Sequence, residues 1–97
     1  MVRESNGALY ELARDLISGH MALLSSQLWQ ERDKPDRDNA LCGAIQAQSA
    51  SLFIERDSLS SSDRASLEAC IRRYAKSLSG AEQAIAAVDE FYSAKDK

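Results

Sequence analysis

The sequence is poor in the residues that most specialised folds require. In 97 residues it has one proline, one histidine, two cysteines and four glycines, and aromatic side chains make up only 6%. With Cys42 and Cys70 alone there is no disulfide framework, and with His20 as the only histidine there is no zinc-ligand set. Gly7, Gly19, Gly43 and Gly80 are isolated, and none follows a strand, so no phosphate-cradling loop is present. No apolar run approaches the roughly 18 residues of a membrane span. The net charge of −3, from 15 acidic and 12 basic side chains, has the wrong sign for a chain that coats itself with phosphate. It is also too balanced for a whole-surface mimic of nucleic acid.

Long aliphatic side chains are scarce as well. Eleven Leu, five Ile, two Val and two Phe bring the chain close to the level, roughly 20%, below which a core is hard to fill. Fifteen Ala and fourteen Ser take their place. Two remedies stand open. Small residues let helices approach closely, or a second copy or a partner covers part of the apolar surface. The length predicts one domain over residues 1–97, with frayed ends at about 1–5 and 94–97. The opening MVRESNGALYELARD has no apolar targeting segment, so the expected compartment is the cytoplasm, with both cysteines as half-buried thiols.

Helix formers dominate what is present. Val and Ile never alternate with polar residues over a strand-length window, so the chain reads as all-α. The expected architecture is a small antiparallel helical bundle of three long helices, or four if the last breaks at Gly80. The first helix is predicted over residues 6–31, capped by Ser5 or Asn6. Its stripe is Leu9, Leu12, Ala13, Leu16, Ile17, Met21, Leu24 and Leu28, widened by Tyr10, Leu23 and Trp29. The second is predicted from 34 or 36 to 56, capped by Asp33 with Pro35 in its first turn, and buries Leu41, Ile45, Leu52 and Phe53. Ser60 is the expected cap of the third, over residues 61–93. Leu67, Ile71, Tyr74, Leu78, Ala81, Ile85, Val88 and Tyr92 keep one phase across Gly80 and favour an unbroken helix. A second capping box at Ser79–Glu82 favours a break.

Catalytic chemistry finds little footing. His20 has Leu16, Ile17, Leu23 and Leu24 at helical spacing and no carboxylate to orient it, so it reads as a boundary histidine with a packed ring. No ExxH pattern exists. No enzyme activity, cofactor or metal is expected. Two surfaces remain. Tyr10, Trp29, Phe91 and Tyr92 are the residue types that anchor protein interfaces, and they are also ordinary core anchors. Arg64, Arg72, Arg73 and Lys76 form a basic face that would suit phosphate, although Glu68 lies four residues from both Arg64 and Arg72 and pairs locally with them.

The expected function is a non-enzymatic protein–protein interaction module that presents a helix face or self-associates as a homodimer. Arg outnumbers Lys two to one and Ala is abundant, which points to a GC-rich bacterial or phage genome. In size and style, not in motif, the chain is like the small acidic helical inhibitors of phages and plasmids, anti-CRISPR proteins among them. The expected partner is then another protein, such as a bacterial multi-subunit complex. The alternative is a DNA-binding regulator using the basic face; nucleic acid is the less favoured partner.

Overall fold

A computed structural model describes residues 2–95, with side chains from 5 to 94. The chain forms an all-α bundle of four helices: α1 (Val2–Arg32), α2 (Asn39–Asp57), α3 (Arg64–Tyr74) and α4 (Leu78–Lys95). No strand occurs among the described residues. The expected frayed ends fall largely outside the described side chains.

The chain divides into two compact units. The first holds Met1–Leu16 and Leu59–Lys97, and so the opening half of α1 with α3 and α4. Leu9, Ala13, Leu67, Cys70, Ile71, Ala81 and Ile85 fill its core. The second holds Ile17–Ser58, a hairpin made by the closing half of α1 and by α2. Ile17, Leu24, Cys42, Ile45 and Leu52 are its buried apolar residues. Both cysteines are buried thiols with no disulfide.

The α1 stripe lies where the spacing puts it. Leu9, Ala13, Ile17 and Leu24 are buried, and Leu12, Leu16, Met21 and Leu28 are half-buried. Of the expected flank only Tyr10 is half-buried; Leu23 and Trp29 are exposed. On α2 the spacing overestimates the buried face: Ile45 and Leu52 are inside, but Leu41 and Phe53 are exposed. A helix in a two-helix hairpin has one neighbour, so only a narrow seam is covered.

The helix starts differ from expectation, each for a local reason. α1 begins at Val2, so Ser5 and Asn6 lie inside it and cap nothing. α2 is capped by Asp38, whose side chain accepts the Leu41 N–H at 3.0 Å, and Asp33 and Pro35 remain in the turn. Proline has no N–H to satisfy there. α3 is capped by Asp63 and not by Ser60. The Asp63 carboxylate takes both the Ser66 N–H (3.1 Å) and the Ser66 hydroxyl (2.8 Å). The Ser60 oxygen stays in the turn and accepts the Ser62 N–H.

The expected long helix over 61–93 is broken, and the break precedes Gly80. Ala75 is extended, with ψ of 155°, and α4 starts at Leu78. The Ser77 hydroxyl accepts the Gly80 N–H at 3.0 Å, so a serine oxygen replaces a carbonyl of the preceding turn. Ile71, Ala81 and Ile85 are still buried across the break, but Leu78 has left the seam and is 65% exposed.

Candidate protein-binding surface

In the first unit the expected basic face is already engaged. Arg64 donates through Nε to Glu68 (2.9 Å), through Nη2 to Asp89 (2.6 Å) and through Nη1 to the Ser5 hydroxyl (3.3 Å). Ser5 in turn donates to Asp89 at 2.9 Å. Arg72 donates to the other Glu68 oxygen at 3.1 Å and holds both oxygens of Glu82. The chain of contacts joins α1, α3 and α4. The Arg64 guanidinium and the Ser5 hydroxyl hold the Asp89 carboxyl below its ordinary range, against a smaller opposing effect of burial. Arg72 does the same for Glu82. Two guanidiniums meet three carboxylates, so little positive potential is left over for a phosphate. Arg73 and Lys76 are exposed beside this network.

Of the expected aromatic residues, Phe91 and Tyr92 are brought together. Phe91 is 58% exposed and meets the half-buried Tyr92 edge to face, with ring centroids 5.0 Å apart. Tyr10 is half-buried on the opening half of α1. Trp29 belongs to the second unit and is 65% exposed. His20 is exposed on α1. No group of three His, Cys, Asp or Glu side chains that would hold a metal ion exists among the described residues. No helix among them is long and apolar enough to cross a membrane.

The second unit carries the more distinctive surface. From 17 to 30 on α1, and from 39 to 54 on α2, there is no Asp, Glu, Lys or Arg. The whole chain is 28% charged, so an empty window of this size on two paired helices is a strong departure. Charges return at the two ends. In the last turn of α1, Glu31 is buried and accepts from Lys34 and from the Asp38 backbone. At the other end Arg56 donates to the Ser18 hydroxyl at 2.8 Å, tying α2 to α1, and lies 5.4 Å over the Phe53 ring.

A groove runs along each flank of this hairpin. One, of about 280 Å³, is lined by Met21, Leu24 and Leu28 of α1 and by Ile45, Ala50 and Phe53 of α2, with only serine and glutamine as polar members. The other, of about 390 Å³, is lined by Gln27, Gln30, Gln48, Leu41 and Ala44, with Glu31 and Lys34 at the turn. Of the seven large apolar side chains exposed among the described residues, Leu23, Trp29, Leu41, Phe53 and Ile54 belong to this unit. Spacing of apolar residues does not find such a surface. The missing charge does, and it can be read from the sequence.

No family model, curated protein or solved structure matches the chain.

Proposed function

We propose that the chain is a non-enzymatic protein-binding module whose contact surface is the α1–α2 hairpin of the second unit. One observation carries this reading: two paired helices without a charged residue in their middle stretches, with five large apolar side chains exposed on the same unit. A surface meant only for water is dotted with charges of both signs. Interface centres are depleted of charge and enriched in aromatic and large apolar groups. Complete burial of a side chain such as Phe53 or Ile54 contributes about 1.5–3 kcal/mol, so a few suffice to hold a partner.

The finer reading is a regulator or inhibitor that docks this hairpin on a larger bacterial protein assembly in the cytoplasm, where two buried thiols stay reduced. The DNA-binding alternative has less support, because Arg64 and Arg72 are neutralised within the chain. The test is affinity capture from the source cell with the parent chain and with Trp29→Ala combined with Ile54→Lys. The parent is expected to retain a specific protein that the variant loses. Equal capture by both, with the helical content of each unchanged, would remove the hairpin from the function.

A further inference from the structure

We propose that residues 75–77 are a hinge, and that on straightening it lets two copies of this chain exchange α4, each seating the other's α4 against its own α1 and α3. The occupant is set by the fold: α4 of a second copy, in the seat that α4 holds within the single chain. The α1–α2 hairpin takes no part in it.

Nothing in the hinge backbone requires a bend. No described residue has a positive φ, and the one proline, Pro35, is elsewhere. Ala75 has φ of −68° and ψ of 155°, so rotation about ψ alone brings it to helical values. Ala75 and Lys76 are good helix formers. Exposed side chains hold the bend instead. The Ser77 hydroxyl accepts the Gly80 N–H, and Arg72 reaches across to Glu82.

The apolar seam runs through the bend in one phase. Leu67, Ile71, Tyr74, Leu78, Ala81 and Ile85 keep alternating steps of four and three, and Leu78 is the one among them that is exposed. A bent pair makes no demand on that phase, since each helix turns independently about its own axis; a continuous helix over 64–95 does. Arg72 and Glu82 lie four and six residues from Lys76, and Arg64 and Asp89 twelve and thirteen. Two straight helices laid antiparallel about a twofold axis at Lys76 keep that register, with each pair now formed between copies. Tyr74 and Leu78 stand two residues either side of the axis, so Leu78 of one copy comes to face Tyr74 of the other and is covered again.

Exchange needs no new surface. Leu67, Cys70, Ile71, Ala81 and Ile85, with the Asp89 bonds to Arg64 and Ser5, close the first unit, and a swapped pair reproduces them between two chains. The interface is therefore as extensive as the packing that already folds the single chain. Only the hinge differs, where a continuous helix replaces the Ser77 cap.

Full-length protein held at about 500 µM just below its thermal transition, then eluted into light scattering, tests this. The parent is expected to form a dimer of twice the 10.7 kDa chain mass. It should persist on dilution, because α4 must leave its seat to return. Ser77→Ala removes the cap and is expected to raise the dimer fraction severalfold. Lys76→Pro suits the extended Ala75, bars a continuous helix and is expected to stay monomeric with its helical circular dichroism kept. Chains carrying Arg72→Glu and chains carrying Glu82→Arg, incubated together, restore both ion pairs only by exchange. Native mass spectrometry should then find the mixed dimer in about tenfold excess over either like dimer. A dimer through any other surface leaves the like-charge pairs in place and mixes statistically. A parent and Ser77→Ala that both stay monomeric, a folded Lys76→Pro that dimerises as the parent does, or a statistical mixture would each overturn the proposal. The mixed pair decides alone if the proline variant loses its helical signal.

Discussion

The Glu31 carboxylate, in the last turn of α1, accepts the backbone N–H of Asp38, the N-cap of α2, at 3.0 Å. Its other oxygen accepts Lys34 Nζ at 3.2 Å. The residue is only 8% exposed. A buried carboxylate thus joins the end of one helix to the start of the next.

Glu31→Ala is expected to destabilise the protein by about 1–3 kcal/mol, the usual range for a hydrogen bond to a charged group whose buried partner is left unmatched. Glu31→Gln keeps an acceptor for Asp38 and should cost less. Urea denaturation measures both. An Ala variant with an unmoved midpoint would show that the turn holds without this contact.

Acid should weaken the first unit. Arg64 and Ser5 depress Asp89, Arg72 depresses Glu82, and the Ser66 hydroxyl and N–H depress Asp63. A carboxyl with a lowered folded pKa contributes stability above its unfolded pKa and loses it as pH falls through the folded one. Stability is therefore expected to hold near neutrality and to fall below about pH 4, where unfolded carboxyls titrate. Asp89→Asn should cost on the order of 1 kcal/mol at pH 7, since water still reaches this pair, and should flatten the acid slope. Denaturation midpoints between pH 7 and pH 2 would show it. An unchanged slope in the variant would count against the network.

How much was legible follows the range of each interaction. Leu9, Ala13, Ile17 and Leu24 were found by spacing, because one helix face must be apolar whatever it packs on. The Arg64–Glu68 and Glu68–Arg72 pairs were found by the i,i+4 rule, which needs no tertiary information. Their other partners were not: Ser5 and Asp89 meet across 84 positions, and no local rule links them. Asp33 and Asp38 are equally good caps by type, but the Asp33 N–H is still bonded to the Trp29 carbonyl at the end of α1, whereas Glu31 holds Asp38 at the start of α2. Phe53 and Leu41 have apolar character, but periodicity does not tell whether a neighbour covers them. The charge-free stretches were visible all along and are missed when only apolar positions are counted.

The interruption before α4 should respond to its serine. Ser77→Ala removes the hydroxyl that accepts the Gly80 N–H and is expected to cost about 1 kcal/mol. Gly80→Ala should come out near neutral, because better helix propensity is offset by a methyl 3.0 Å from that hydroxyl. Gly19→Ala meets nothing within 4 Å, so propensity alone acts and about 0.5–1 kcal/mol is gained. Thermal melts of the three variants should rank in that order, with Gly19→Ala highest.

Duplex DNA should not bind measurably. Fluorescence anisotropy with a labelled duplex at about 50 mM salt gives electrostatic binding its best chance. The expected result is no change with the parent or with Arg72→Glu combined with Arg73→Glu. Affinity in the parent that falls steeply with salt and disappears in the double variant would restore the basic face as a nucleic-acid surface.

Each compact unit holds one buried thiol, Cys70 in the first and Cys42 in the second. A thiol-specific reagent reacts with such a group only when its surroundings open. Alkylation kinetics followed by peptide mass would therefore time the local unfolding of the two halves separately, in the unaltered chain, with no label engineered in.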